Sequence, residues 1–291
     1  MTSSSETIPV ISSIGALSAC YDAWLCDIWG VMHNGESSFS DAVLACTRFR
    51  EQGGTVVLIS NSPRPSDAVA RQLADIGVPE ASYDAIVTSG DTTRNELLVR
   101  KDQSVFHLGP ERDKPLVNGL DLQLVGLENA SFVLCSGLYD DSTETPDDYA
   151  EMLSLMKQRG LPMLCANPDI QVERGHRLIY CAGALAAAYE QLGGEVIYTG
   201  KPHQPIYDRA LSTIRDLRRQ ETRRERILCI GDGIKTDIKG AVESGFDAVF
   251  IASALHIDDV RTNGLLDPAV VTAAFSGTGM TPVAAQKTLK W

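Results

Sequence analysis

Residues 23–35 read AWLCDIWGVMHNG, in which an apolar run delivers one carboxylate, Asp27, into a glycine-punctuated turn. Other apolar runs end in the same way. TVVLI is followed by Ser60 and Asn61, EVIYTG by Lys201, and RILCIG by Asp232, with Asp237 further along in GDGIKTDIKG. A carboxylate, a hydroxyl with adjoining backbone amides, a cation and two more carboxylates are the parts that phosphoryl transfer needs. That reaction rests on in-line positioning and charge neutralisation, which a lysine and a hard dication held by carboxylates supply. Aspartate is itself an established nucleophile toward phosphorus.

Taken singly, each residue has an ordinary explanation. An aspartate or serine after a strand commonly caps a turn, and an acid such as Asp237 in the first turn of a helix is favoured by the helix dipole. Shared position at strand ends gives them joint meaning, because in an open parallel sheet ligands collect beyond the carboxyl ends of the strands. Gly231 and Gly233 on either side of Asp232 suit close approach of a backbone.

The elements that must position these residues alternate between β-branched runs and helix-period segments, the pattern of a doubly wound parallel α/β sheet. AWLCDIW, TVVLISN and AIVTSG read as strands, separated by helices over about 41–52 and 66–76. The pattern returns with EVIYTG, a helix over about 204–219, RILCIGD, a helix over about 236–244, and DAVFIAS. Between them, SVFHLG, LQLVGL and SFVLCSG follow one another without long helical crossovers, then a helix over about 146–159 and PMLCAN. This predicts a discontinuous core of residues 1–90 and 176–291, with a smaller α/β cap inserted at 91–175. The tail after Ser276 has weak periodicity and is expected to lie over the surface.

The series DIWGVMHNG, LISNSPRP, GKPH and GDGIKTDI, in that order, resembles the haloacid dehalogenase superfamily of phosphotransferases. A cap between the second and third motifs, carrying ANPD at 166–169, is similar to its class IIA branch, the NagD-like phosphatases. Four ordered motifs at predicted strand ends, over most of the chain, are far more specific than any one of them. The resemblance implies a phosphate monoester hydrolase that uses Mg2+ and acts on a small phosphorylated metabolite, a sugar phosphate or a nucleotide. It implies that Asp27 attacks phosphorus to form an aspartyl-phosphate, that Ser60 and nearby amides hold the phosphate, and that Lys201 steadies the charge. Asn61 belongs to the same binding loop. Mg2+ would be held by Asp27, Asp232 and the main-chain carbonyl of Trp29, with Asp237 in support, and Asn167 and Asp169 of the cap would meet substrate.

One position departs from the family pattern. Most phosphatases of this type carry a second aspartate two residues after the nucleophile, as general acid and base, and here Trp29 occupies that place. An indole donates one hydrogen bond but moves no proton near neutral pH. Acid-base help is typically worth roughly 10²- to 10⁴-fold. His33 and Asp169 are candidates to replace it, a substrate with a good leaving group would need it less, and a catalytically silent phosphate-binding protein is the opposing reading.

Composition sets the outer limits. The 291 residues are 44% apolar with a net charge of −12, which suits a globular protein and argues against nonspecific binding to nucleic acid or anionic lipid. Seven single cysteines without metal-type spacing read as free thiols of a reducing cytoplasm. His107, His176, His203 and His256 are scattered and form no zinc set. Residues 1–13 lack a basic region followed by an apolar one, and the run Cys181–Tyr189 is too short to cross a bilayer, so no membrane association is expected. An exposed cap sheet would offer a surface for a homodimer.

Overall fold

The computed structural model describes residues 7–174, 177–252, 261–262 and 265–291; His176 and His256 lie outside them. Two compact units emerge, one formed by Met1–Ile59, Gln72–Ile86 and Ala210–Trp291, the other by Ser60–Arg71 and Val87–Arg209. In chain order the strands are β1 (Ala23–Asp27), β2 (Thr55–Ser60), β3 (Ala85–Thr88), β4 (Ser104–Leu108), β5 (Gln123–Leu124), β6 (Phe132–Cys135), β7 (Met163–Cys165), β8 (Gln171–Arg174), β9 (Arg177–Tyr180), β10 (Val196–Tyr198), β11 (Ile227–Gly231), β12 (Asp247–Ile251), β13 (Arg261–Thr262), β14 (Leu265–Leu266) and β15 (Ala284–Gln286).

The first unit is organised by a sheet of order β15-β12-β11-β1-β2-β3. Its pairings β2·β1, β1·β11, β11·β12 and β12·β15 are all parallel. Every residue of β1, β2 and β11 is buried, as expected of strands covered on both faces. The helix Ser40–Glu51 carries Asp41 in its first turn and Arg48 and Arg50 in its last, which matches the helix dipole. It stops at Gly53, which takes the left-handed conformation (φ +86°) that disfavours any side chain. Phe49 then stacks on Trp24 of β1, rings parallel and 4.0 Å apart.

The tail departs from its expected surface course. Ala284, Ala285 and Gln286 are buried as β15 against β12, and a three-residue strand is too short to reveal itself by periodicity. Its ladder continues outward through the hydrogen bond from Ala285 N–H to the Pro9 carbonyl.

The second unit holds a sheet of order β10-β7-β6-β4-β5 whose pairings are all parallel, and an antiparallel hairpin, β8·β9. Expected as a core strand, EVIYTG supplies β10, which pairs with β7 here. A strand of β-branched and aromatic residues has no local preference between two parallel sheets, so only tertiary pairing decides. Leu153, Met156, Leu185 and Tyr189 pack under Val133 and Met163 on one face, and Leu97, Leu116 and Phe132 with Leu134 and Leu164 fill the other.

The seven cysteines are unbridged; Cys20 is exposed and the other six are buried. Among the described residues, no helix is long and apolar enough to cross a membrane.

Candidate active site

Three of the expected residues converge within the first unit. Asp27 closes β1, Asp232 follows β11, and β1 and β11 are parallel neighbours, so both acids leave the same edge of the sheet. Asp237 returns to them from a single π-turn, Ile234–Ile238, which precedes the short helix Lys239–Glu243. One carboxylate oxygen from each of Asp27, Asp232 and Asp237 lies within 4.8 Å of the others, and all three residues are buried. At that spacing two carboxylates repel by about 3 kcal/mol even at an effective dielectric constant near 20. Hard oxygen donors set this close suit a divalent cation such as Mg2+ or Ca2+.

Glycines make the convergence possible. At Gly30 (φ +83°) a Cβ would stand 2.0 Å from Asp232 Oδ2, so only a bare Cα fits beside that carboxylate. At Gly231 a Cβ would stand 2.3 Å from both Cβ and Cγ of Asp237. The glycines around Asp232 therefore admit the neighbouring acid itself. Asp237 Oδ2 accepts hydrogen bonds from Gly233 N–H and Thr236 Oγ1, each at 3.1 Å.

Trp29 packs within the loop that follows β1. Its ring meets His33 edge-on, centroids 5.1 Å apart, and covers Gly35 so closely that a Cβ there would stand 2.6 Å from Trp29 Cη2. The indole Nε1 is buried and, among the described residues, has no hydrogen-bond partner. His33, also buried, holds the loop together: its Nδ1 accepts from Gly35 N–H at 2.8 Å and its carbonyl from Gly30 N–H at 2.8 Å. The imidazole nitrogen that points into its own loop is therefore an acceptor.

The other expected residues belong to the second unit, where four of them share one network. Asn61 Oδ1 accepts from Lys201 N–H at 2.7 Å, while Asn61 Nδ2 donates to the Lys201 carbonyl at 3.1 Å and to Asp169 Oδ1 at 2.8 Å. Asp169 N–H donates in turn to Asn167 Oδ1 at 3.0 Å. Asn61 thus straps both backbone polar groups of Lys201, a buried lysine. Gly200 permits the strap, since a Cβ there would stand 2.5 Å from Asn61 Oδ1. Ser60 Oγ accepts from Ser62 N–H at 3.2 Å and tightens the turn after β2.

Nothing local in the sequence marks Gly30, Gly200 or the Asn61 strap. The glycines were visible as residues, but the side chains that need their space lie far away along the chain.

A haloacid dehalogenase-like hydrolase family model matches residues 24–123, and a second, HAD-hydrolase-like model matches residues 198–272. A solved hydrolase of the haloacid dehalogenase-like family from Brucella suis 1330 is 46% identical, with a TM-score of 0.86 over 96% of this chain and 100% of its own. The 5'-nucleotidase YutF of Bacillus subtilis (strain 168) is 25% identical over 85% of this chain and 93% of its own length. The ribonucleotide monophosphatase NagD of Escherichia coli (strain K12) is 23% identical over 81% and 90% respectively.

Proposed function

Because the chain belongs to the haloacid dehalogenase-like hydrolase family, in its class IIA branch, we propose that it is a phosphoric monoester hydrolase that works through Asp27. Its substrate is a small phosphorylated metabolite of the sugar-phosphate or nucleotide class, and its cofactor is Mg2+. The observation that carries this reading is the buried convergence of Asp27, Asp232 and Asp237. The names of the relatives, a 5'-nucleotidase and a ribonucleotide monophosphatase, support the substrate class.

In this reading Asp27, Asp232 and the Trp29 carbonyl hold the ion, and Asp237, fixed by Gly233 and Thr236, supports it. The bound dication supplies charge neutralisation for the phosphoryl group. A carboxylate oxygen of Asp27 attacks phosphorus, the ester oxygen leaves with its bonding pair, and an aspartyl-phosphate forms. Water then attacks that phosphorus, the bond to Asp27 breaks, and inorganic phosphate departs. Ser60 with adjoining amides binds the phosphate oxygens. Lys201 balances their charge, positioned by Asn61, and Asp169 and Asn167 extend the binding surface from the same network.

Trp29 shapes which esters react. An indole at this position cannot give up a proton to the leaving ester oxygen. Substrates whose alcohols are acidic, or which bring their own proton donor, are therefore favoured. Phosphate release from a panel of phosphate esters, with and without Mg2+, tests the reading. Turnover that requires Mg2+ and vanishes in Asp27→Asn supports it; binding of phosphate analogues without turnover on any ester would sink it in favour of a silent binding protein.

A further inference from the structure

The five-stranded sheet has its own switch point. The chain runs from β4 to β5 on one side, then crosses to β6 on the other side of β4, and continues through β7 to β10. In doubly wound sheets the crevice where strand order reverses, beyond the carboxyl ends of the strands, is where ligands bind. Here that crevice lies between β4 and β6. Lys201 and Asn167 follow β10 and β7 along the same edge.

A polar relay occupies the switch point. His107, one residue from the end of β4, places Nε2 2.8 Å from Oγ of Ser136, which follows β6. Asp113, buried in the short turn Glu111–Leu116, is pushed upward by that burial, and the Ser136 side chain near its carboxylate offsets part of the rise. In the tautomer that carries its proton on Nε2, His107 donates to Ser136 Oγ. Burial keeps the His107 ring toward its neutral form, which leaves Nδ1 as an acceptor. Among the described residues Nδ1 has no hydrogen-bond partner. Gly109 leaves the space bare, since a Cβ would stand 2.0 Å from Ser136 Oγ and 3.0 Å from His107 Nε2.

The surrounding charges cancel. Arg112 pairs with Asp141, and Arg64 and Arg112 both offset Asp113. An anion would meet two aspartates and a cation two arginines, so the place suits an uncharged group. Arg64 also lies on the 60–71 segment that begins with Ser60 and Asn61.

We infer that His107, positioned by Ser136 and Asp113, is a specificity-determining residue that accepts a hydrogen bond from an uncharged O–H or N–H at the far end of the phosphomonoester. The inference rests on the phosphate being anchored near Lys201. With strands about 4.8 Å apart, the far group lies roughly 10–14 Å from that anchor, two to three strand spacings along the edge. Small triose phosphates are too short to use it.

The test is equilibrium binding to Asp27→Asn protein of two esters of matched length: an alkyl phosphate that spans the distance, and the same chain ending in a hydroxyl. The hydroxyl ester is expected to bind roughly 10-fold more tightly, the worth of one buried hydrogen bond. His107→Phe, which keeps a ring but no acceptor, should bring the ratio near one, while His107→Gln should retain most of it. Ser136→Ala, which frees the ring, should lower it. Equal binding of both esters, or a ratio untouched by His107→Phe, overturns the inference and leaves the phosphatase reading intact. Failure of both esters to bind removes the anchor and overturns both.

Discussion

The Cα of Gly30 lies against the carboxylate of Asp232, so close that a methyl group would sit 2.0 Å from its Oδ2. A loop residue four positions from the end of one apolar run thus shapes an acid more than 200 residues later. Gly30→Ala is expected to push the Asp232 carboxylate aside and to strain a left-handed backbone, at about 1–2 kcal/mol for the backbone alone. Thermal unfolding with and without Mg2+ checks this: stability should fall, and the stabilisation by Mg2+ should shrink. An unchanged Mg2+ response would mean that Asp232 is not held for a metal.

Asn61 is expected to act on catalysis through Lys201. Asn61→Ala leaves Lys201 N–H and carbonyl buried without their partner, a loss of about 1–3 kcal/mol in stability. Turnover should drop by more than the Mg2+ affinity does, because the carboxylate cluster is built elsewhere. Parallel measurement of kcat and of the Mg2+ midpoint separates the two.

His107 gives the protein a pH dependence of defined sign. Burial, helped by Lys114, holds its imidazole below the ordinary value near 6.5. The unfolded chain then binds a proton that the folded chain refuses, so stability falls as pH drops through about 6.5 toward the folded value. Urea unfolding from about pH 7.5 to 5.5 should show a steeper loss for the natural protein than for His107→Gln. Asp113, pushed upward by its own burial, works in the opposite direction, so the difference between the two proteins isolates the histidine.

Trp29→Asp restores the acid that the family places there. If the rest of the machinery is intact, turnover on esters of poor leaving groups should rise by roughly 10²-fold, and on activated aryl phosphates far less. A uniform fall on both would mean that the indole, wedged over Gly35, is needed to hold the loop after β1.

The convergence of Asp27 and Asp232 was legible in the sequence because each stands at the end of a strongly apolar strand, and strand ends in a parallel sheet face one way, whereas Asp237 returns to them from the π-turn Ile234–Ile238. Lys201 was legible for the same reason, yet its strand was assigned to the wrong sheet. Val196–Tyr198 pairs with β7, and nothing local distinguishes the partners open to three apolar residues. The parallel course of β4, β5 and β6 was also hidden, since their connections are 3-10 turns rather than periodic helices. The Asn61 strap joins residues 140 positions apart, and the buried β15 is three residues long. In each case a long-range contact settles what a short segment leaves open.

In the proposed reaction Asp27 carries the phosphoryl group. Rapid acid quenching of the reaction at early times, followed by mass spectrometry of the peptide containing Asp27, tests it most directly. A phosphorylated Asp27 is expected to appear before inorganic phosphate accumulates, to require Mg2+, and to be absent from Asp27→Asn together with turnover. Phosphate release that persists in Asp27→Asn, with no phosphorylated peptide at any time, would contradict it.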